Sequence, residues 1–295
     1  MRVGLLTADP GHPLLAATAA LLSARGHEVR ALAPTARHLP LDPADIYLLK
    51  ARTPAAIALA RALEQRGVRV INSAAATEFC QDRVAMAHLA HLAGLPFAAT
   101  TSLANPRQLT APIERPLVLK SRHSRRGDLV AAVSDADELD ALARRWPDEP
   151  VIVQDLVPGT NWDHKLWVVA GEVFAALRRS EFAPGPGLPD RPSITPHPWA
   201  ELALRVGEVF GLDVYGVDLL EVDGEPLIVD INAFPGIRGQ AGAPEALSAL
   251  VVACSQDSHG WFWHGSRSEA VYWSSADRQH HAGSRRSGRA HSPHR

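Results

Sequence analysis

The fold of this chain is decided by the stretch Gly216-Val217-Asp218-Leu219-Leu220 and, after a short gap, Leu227-Ile228-Val229-Asp230-Ile231-Asn232. Both runs are apolar except for three oxygen-bearing side chains. Because side chains alternate between the two faces of a strand, Asp230 and Asn232 point the same way. Pairing of the two runs as a hairpin brings Asp218 to that face, so that three oxygen donors converge in an apolar setting.

The turn between the two runs supports this pairing. Asp223-Gly224 is a strong hairpin signal, because both residues tolerate positive φ. Charges inside Val/Ile/Leu runs are costly unless something compensates them. Mg²⁺ does so, because it takes carboxylate and carbonyl oxygens, keeps water ligands and completes its shell with substrate phosphates. A solvated sheet face, or side chains bonded to turns, would show the same pattern, and the spacing alone leaves these alternatives open.

The first seventy residues alternate between apolar strand-like runs and Ala/Leu-rich helical runs. The predicted strands are 2–7, 28–33, 45–50 and 68–71, and the predicted helices are 14–24 and 55–65. This alternation, with Gly26 and Gly67 after the helices, predicts a parallel sheet covered by helices. No G-x-G-x-x-G motif follows the first strand, which argues against a dinucleotide site of the Rossmann type.

From about Pro116 the pattern changes to an α+β arrangement. We predict strands at 117–120 and 151–157, helices at 82–93, 135–145 and 199–210, a hairpin over 166–177 and the metal hairpin described above. Phe182–Pro198 contains six prolines, a composition that predicts a long irregular loop. Such loops are usually lids or disordered segments, and we expect this one to form part of a lid.

A lysine and a basic loop form a second chemical signal. Lys120 ends the strand-like run Leu117–Leu119, where a lysine can equally snorkel to the surface. The loop Ser121–Asp128 that follows is rich in arginine and suits closure over polyphosphate, or else a solvated surface. It is not a Walker A sequence.

Composition excludes several classes of protein. The 295 residues are 46% hydrophobic, and 30 Lys+Arg nearly balance 32 Asp+Glu, so charge gives no argument for nucleic acid or an anionic membrane as a partner. Two cysteines cannot form a disulfide scaffold and fit a reducing compartment. An early acid argues against a secretory segment, and no uncharged N-terminal run reaches about 18 apolar residues. We therefore expect a soluble, cytoplasmic protein that binds neither nucleic acid nor membrane.

In order and spacing these segments resemble the ATP-grasp superfamily, most closely its branch of ribosomal-protein glutamate ligases and related amino-acid ligases, over residues 1 to about 250. The most specific part is Asp218, then Asp230 and Asn232, then a Pro-Gly loop, where the family has an acid, Glu-x-Asn and Pro-Gly. The resemblance implies ATP and Mg²⁺ (or Mn²⁺), with two ions held by Asp218, Asp230 and Asn232.

The resemblance also implies a domain organisation: an α/β N-terminal parallel-sheet domain followed by two α+β subdomains that clasp the nucleotide. The predicted boundaries are 1–75 for the N-terminal domain, 76–112 for a helical connection, 113–157 for the central subdomain, 158–254 for the C-terminal subdomain with the metal site, and 255–295 for a disordered tail.

Site residues are carried over position by position. Lys120 resembles the lysine that reaches the ATP phosphates, and Arg178 (or Arg179) resembles the basic residue near the γ-phosphate; these two are the expected catalytic residues. The remaining expected nucleotide contacts are Arg83, Gln154, Asp155, Leu156, Val157, Asp163 and Lys165, and the expected substrate contacts are Gly236 and Arg238. Within this set, Gln154–Val157 resembles the adenine hinge and Asp163 the ribose-binding acid.

Three departures from the family pattern stand out. Arg83 replaces a common lysine in the segment Asn72…Asp82-Arg83 that opens the central domain, Asp230 is shorter than the usual glutamate, and the loop after Lys120 has only Gly127 where relatives have several glycines. An arginine differs from a lysine in geometry although it keeps the charge.

The activity implied is that of an ATP-dependent carbon–nitrogen ligase, which joins a carboxylate to an amine through an acyl phosphate. The substrates would be small molecules, with a peptide or protein acceptor as another option, and a homodimer is compatible with the family. One alternative is an ATP-grasp kinase of a phosphorylated polyol or inositol, favoured by the arginine-rich loop. A catalytically weakened ATP-binding relative is the other.

Overall fold

The computed structural model of the chain describes residues 1–256, except residues 110–111, 159–160, 184, 187 and 194–195. The expected disordered tail therefore lies outside the described residues from 257 onward. Residues 255–256, which were assigned to that tail, are the end of a helix, so this boundary was wrong by two residues.

The N-terminal part is a four-stranded parallel sheet. Its strands are β1 (Arg2–Leu6), β2 (Glu28–Leu32), β3 (Ile46–Leu49) and β4 (Arg69–Ile71), in the spatial order β2-β1-β3-β4. The helices α1 (Pro13–Ala24) and α2 (Pro54–Glu64) are the connections that parallel strands require. β3 is buried throughout, as expected of a strand covered on both faces.

Two helices follow the first sheet: α3 (Ala74–Phe79) and α4 (Arg83–Leu92). Asp82 is the N-cap of α4, and its carboxylate accepts hydrogen bonds from the backbone N–H groups of Val84 (3.0 Å) and Ala85 (3.4 Å). An acid at this position satisfies free amides and favours the helix dipole. The first turn of α4 thereby presents Arg83 to the two sheets that follow.

The central sheet is antiparallel and has four strands. They are β5 (Thr101–Leu103), β6 (Leu117–Ser121), β7 (Val130–Val133) and β8 (Val151–Asp155), in the order β5-β8-β6-β7, with α5 (Ala136–Arg145) between β7 and β8. The sequence assigned residues 101–103 to a helical connection, which is wrong, because they pair with β8 as an edge strand. A three-residue strand is too short to give a period-2 signal.

The C-terminal sheet is antiparallel with five strands. They are β9 (Trp162–Val169), β10 (Glu172–Arg179), β11 (Arg191–Pro192), β12 (Val214–Val222) and β13 (Glu225–Ala233), in the order β11-β10-β9-β12-β13. α6 (His197–Phe210) precedes β12 and α7 (Ala243–Gln256) follows β13. The proline-rich segment was predicted to be an irregular loop, and this prediction is wrong in part. β11 lies within the segment and pairs with β10, and α6 begins at His197.

Apolar packing joins the first sheet to the last. One buried cluster contains Leu15 of α1, Leu48 of β3, Val214 of β12 and Leu247 of α7. Asn72, which is fully buried, adds a polar connection, because its amide donates to the Val214 carbonyl (2.7 Å) and accepts from the Val214 N–H (3.0 Å). The predicted fold class, a parallel N-terminal domain followed by two α+β subdomains, is confirmed. The other boundaries between the domains stay predictions.

Candidate active site

One face of the C-terminal sheet carries the charged residues of β9, β10, β12 and β13. Asp218 lies opposite Asp230 on one side and opposite Lys165 on the other, so the three side chains share a face. Asp163 lies two residues from Lys165 and opposite Arg178, which extends the same face across β10. Asn232, two residues beyond Asp230, joins them. The alternation that the sequence suggested is thus observed in the hairpin.

Lys165 neutralises the acids in the middle of this face. Its Nζ lies 3.0 Å from an Asp218 oxygen and 3.8 Å from Asp163. Burial disfavours the charged lysine, but the carboxylates of Asp218 and Asp163 outweigh it and raise the pKa of Lys165. Burial raises the pKa of Asp163. A fixed ammonium therefore stabilises two carboxylates that face the same space.

A β-bulge lies in the hairpin directly beside Asp218 and Asp230. The register shifts between Asp218 and Leu219, which leaves Val229 without a partner on β12. The Nζ of Lys120, which is 8% exposed, donates to the Val229 carbonyl at 3.1 Å, across from the central sheet. The bulge therefore joins the lysine of β6 to the strand that carries Asp230.

Arg83 connects the central loop to Asp230. Its guanidinium donates to Asp128 (2.7 Å), to the Ser121 carbonyl (2.8 Å) and to Asp230 (3.5 Å), and it is 5% exposed. Burial would raise the pKa of Asp230, but the charges of Arg83 and Lys120 outweigh it and hold that pKa below its usual value. Asp230 is therefore ionised and buried among cations.

The donor set on this face fits a hard cation. Asp218 and Asp230 provide carboxylates and Asn232 provides an amide oxygen, which are the ligand types that Mg²⁺ takes. Nowhere in the described part of the chain do three His, Cys, Asp or Glu side chains group together as metal ligands, so the amide oxygen is needed to complete the set. Lys165 and Arg83 stabilise the two carboxylates in the structure.

A cavity of about 350 Å³ opens beside this face. It is lined by Asp218 and Asn232, by Arg178 and Trp167 of the same sheet, by the Pro-Gly loop, and by two residues that follow β3, Lys50 and Arg52. Asp230 is not in its lining and faces Arg83 and Lys120 instead. The cavity therefore lies between the N-terminal and C-terminal sheets and has contributions from both.

Sequence reasoning missed Lys50 and Arg52, although a signal for Lys50 was present. The chain has only three lysines, at positions 50, 120 and 165, beside 27 arginines. All three lie at this site. A compact ammonium and a planar guanidinium are not interchangeable, so lysine in an arginine-rich chain marks positions that need the smaller cation.

Arg178 is held by an acid of the proline-rich segment. Asp190 accepts hydrogen bonds from Nε (3.2 Å) and Nη2 (2.9 Å) of Arg178, whose guanidinium also lies 5.9 Å from the Trp167 ring centre. Arg191, next to Asp190, stacks on Trp162 at 4.0 Å. The segment is thereby attached to the face that carries the candidate site.

The basic loop after Lys120 uses its arginines for its own structure. Arg122 donates to both Asp82 oxygens (3.0 and 2.6 Å), and Arg125 makes a bidentate pair with Glu149 (2.7 and 2.8 Å). Bidentate pairs of this kind fix geometry. Two of the three arginines that favoured a kinase of phosphorylated substrates are therefore already paired with acids.

The predicted adenine hinge lies at the end of β8. Gln154 is buried and donates to the Thr100 hydroxyl (3.0 Å), Asp155 pairs with Arg115 (3.0 Å), and the Leu156 N–H donates to the Pro116 carbonyl (3.0 Å). Val157 follows directly. The partners in these contacts, Thr100, Arg115 and Pro116, lie directly before strands of the central sheet. The other residues predicted to bind the nucleotide meet instead at the charged face of the C-terminal sheet.

The Pro-Gly loop ends the site toward the N-terminal sheet. A Cβ on Gly236 would lie 3.3 Å from Nε2 of His12 and 3.9 Å from Nε of Arg238, which shows how closely these side chains approach the loop. His12 is buried, and its Nδ1 has no hydrogen-bond partner in the described structure. Gly236 lines the cavity, and Arg238 lies beside it.

The fold is that of ATP-grasp proteins. The structure resembles that of a RimK-domain ATP-grasp protein from Sphaerobacter thermophilus, with a TM-score of 0.70 and 25% identity over 85% of this chain and all of that one. The D-alanine–D-alanine ligase of Bacillus anthracis has the same fold, with a TM-score of 0.64 and 14% identity over 96% of this chain and all of that one.

Sequence comparison agrees with the fold. Residues 99–243 match the model of the RimK-like ATP-grasp domain, a match that spans just under half of the chain. A relative from Shewanella amazonensis named probable alpha-L-glutamate ligase 1 is 27% identical over 296 residues, which cover 88% of this chain and 97% of the relative. The resemblance and the predicted class, an ATP-dependent ligase, are confirmed.

Within the described residues, none of the helices combines the length and the apolar character needed to cross a bilayer.

Proposed function

We propose that this protein is an ATP- and Mg²⁺-dependent carboxylate–amine ligase that activates a carboxylate as an acyl phosphate and uses L-glutamate as one of its two substrates. The observation that carries the proposal is the meeting of Asp218, Asp230 and Asn232 on one sheet face, with Lys120 and Lys165 beside them. The choice of glutamate follows the name of the curated relative. A peptide or protein acceptor, and a homodimer, stay as further proposals.

Asp218, Asp230 and Asn232 would hold magnesium, which we propose as two ions. When bound, these ions would offset the negative charge of the ATP phosphates. Lys165 stabilises Asp218 from the neighbouring strand (3.0 Å), and Arg83 stabilises Asp230 from α4 (3.5 Å). These two cations hold the carboxylates of Asp218 and Asp230 in position.

Two further cations are proposed to contact the phosphates. Lys120 is buried between the two antiparallel sheets. Among the described residues its ammonium makes one hydrogen bond, to the Val229 carbonyl, which leaves two more protons to donate. Arg178 lines the cavity and is paired with Asp190. Once this ion pair is broken, its guanidinium would be able to contact the γ-phosphate. Both would offset charge that develops as the phosphoryl group is transferred.

The base is assigned to the other side of the cleft, on the central sheet, and the sugar to β9 of the C-terminal sheet. Because the Leu156 N–H donates to Pro116, the Val157 N–H is the backbone donor that we propose for adenine. Gln154, Asp155 and Leu156 would shape this hinge through their contacts with the central sheet. Asp163, beside Lys165 on β9, is assigned to the ribose.

The chemistry is proposed to take two steps. A carboxylate oxygen of the substrate attacks the γ-phosphorus, the bond to the β-phosphate oxygen breaks, and ADP and an acyl phosphate result. An amine then attacks the acyl carbon, inorganic phosphate leaves, and the amine loses a proton as the amide forms. No protein nucleophile is needed, since the chain positions the reactants and excludes water from the acyl phosphate.

The experiment that tests this proposal is isotope transfer. L-Glutamate labelled with ¹⁸O in its carboxyl groups is incubated with the full chain, ATP, Mg²⁺ and a panel of amines that carry no carboxyl group, so that glutamate is the only carboxylate present. The phosphate released is analysed by mass spectrometry, and we expect one ¹⁸O atom per phosphate together with an amide of glutamate. Unlabelled phosphate accompanying amide formation would exclude the acyl phosphate, and absence of any amide would refute glutamate as the activated carboxylate.

Asp218→Asn tests the metal assignment with almost no change of shape. We expect it to lower Mg²⁺-dependent turnover at least a hundred-fold, because an ionised ligand is lost. Asp140→Asn, an exposed acid on α5, is the matched control and should behave as the wild type. Equal turnover in both variants would remove Asp218 from the site.

A further inference from the structure

Four basic side chains meet where the N-terminal sheet approaches the Pro-Gly loop. His12 precedes α1, Lys50 and Arg52 follow β3, and Arg238 follows the Pro-Gly loop. Lys50 donates to the Phe234 and Pro235 carbonyls, both at 3.2 Å, and thereby anchors β3 to the loop. We call His12, Lys50, Arg52 and Arg238 the basic cluster.

The basic cluster lacks acidic partners. In the described part of the structure, none of its four members makes an ion pair with an Asp or Glu. Burial, then Arg52 and Arg238, lower the pKa of Lys50 to about 8, and burial, Lys50 and Arg238 lower the pKa of His12. Asp9 opposes both shifts only in part. Like charges that repel one another in a partly buried place are stabilised by an anion.

Two independent features point to the same ligand. The Nδ1 of His12 has no hydrogen-bond partner, although the residue is 7% exposed. The twelve-residue α1 begins beside it with no side-chain cap and no acid in its first turn, so its N-terminal dipole adds positive potential. Gly236 leaves His12 open toward the loop, because a Cβ there would lie 3.3 Å from Nε2.

We propose that the basic cluster is the subsite for a carboxylate of the acidic substrate, so that substrate specificity is set largely by the N-terminal sheet. The cavity connects the cluster to the reaction centre, since Lys50, Arg52 and Gly236 line it together with Asp218 and Asn232. Arg52 also reaches Asn232, with Nη1 3.4 Å from its Oδ1. A carboxylate held by the cluster would thus lie in the same cavity as Asp218 and Asn232. This inference rests on the proposed function.

The test is equilibrium binding rather than turnover. Isothermal titration calorimetry with the full chain, Mg²⁺ and ADP measures the affinity of L-glutamate for the wild type and for Arg238→Gln and Arg52→Gln. Arg66→Gln, an exposed arginine of the same N-terminal part, is the matched control. Loss of one charge-assisted contact should weaken glutamate binding about ten- to a hundred-fold, while ADP affinity stays within about threefold.

Two monoamides of glutamate, at the α- and at the side-chain carboxyl group, complete the test. The monoamide that binds ten-fold or more weakly identifies the carboxylate held by the cluster. Unchanged glutamate affinity in both arginine variants, no binding of glutamate by the wild type, or equal binding of both monoamides and glutamate would overturn the proposal. The ligase assignment fails separately, if no amide forms while glutamate still binds through the cluster.

Discussion

Replacement of Lys120 by methionine separates the role of its charge from the role of its packing. The side chain is 8% exposed and its ammonium has one described hydrogen bond, to the Val229 carbonyl at 3.1 Å. Methionine keeps most of the aliphatic volume, so the packing cost is small. The loss of the partner for the carbonyl lowers the free energy of unfolding by about 1–3 kcal/mol, which a domain of ordinary stability survives.

Nucleotide binding should change much more than stability. An ammonium that donates to a phosphate contributes about 1.5–3 kcal/mol, so Lys120→Met should weaken ADP–Mg²⁺ binding about ten- to 150-fold. Adenosine has no phosphate, and its affinity should stay the same. Titration calorimetry gives both affinities, and urea unfolding gives the stability.

The control variant replaces an arginine, because the sequence contains no lysine outside this site. Arg66→Met replaces an exposed cation by the same residue and should leave both affinities unchanged. A folded Lys120→Met protein that binds ADP within twofold of the wild type would show that the lysine only anchors the bulge. An equal loss of adenosine and ADP affinity would point to distortion of the cleft.

Two other predictions concern reactivity and packing. Because the pKa of Lys50 is lowered to about 8, its neutral, nucleophilic form is populated from about pH 8 upward, so its acylation rate should be half-maximal near pH 8 rather than near the ordinary lysine value. Peptide mass mapping measures this directly, and a midpoint above 10 would contradict the lowering of the pKa of Lys50 by burial and by Arg52. Gly207→Ala should destabilise the fold by about 1–3 kcal/mol in urea unfolding, because its Cβ would lie 2.3 Å from the buried Tyr215 hydroxyl. Gly11→Ala, with a nearest contact of 3.4 Å, is the control, and equal stability of the two variants would refute the packing argument.

The hairpin shows how far the sequence leads. Alternation and a two-residue turn were enough to predict that Asp230 and Asn232 share a face and that Asp218 can join them. These relations are local, since they depend on the pleat of a strand and on pairing across one turn. The bulge at Val229, which gives Lys120 its hydrogen bond, left no signal in the apolar run.

The basic loop shows where sequence reasoning is limited. Arginines in a row predict positive charge, and both a phosphate site and a solvated surface follow from that. Only the structure shows that Arg122 pairs with Asp82 and Arg125 with Glu149, which are 40 and 24 residues away. An arginine that is paired with an acid is no longer free to bind a phosphate, and the sequence does not show this pairing. A run of charged residues alone therefore cannot distinguish a binding site from a structural role.

The order of the elements, the apolar faces and the oxygen donors of the hairpin could be predicted from the sequence, because they follow from periodicity and from residue chemistry over a few neighbouring positions. Which distant residues complete the site depends on how the sheets pack. Lys50 and Arg52 reach the cavity only because β3 ends beside the Pro-Gly loop, about 180 residues further along the chain. Such an approach is fixed by the packing of one sheet against another, and no local pattern encodes it.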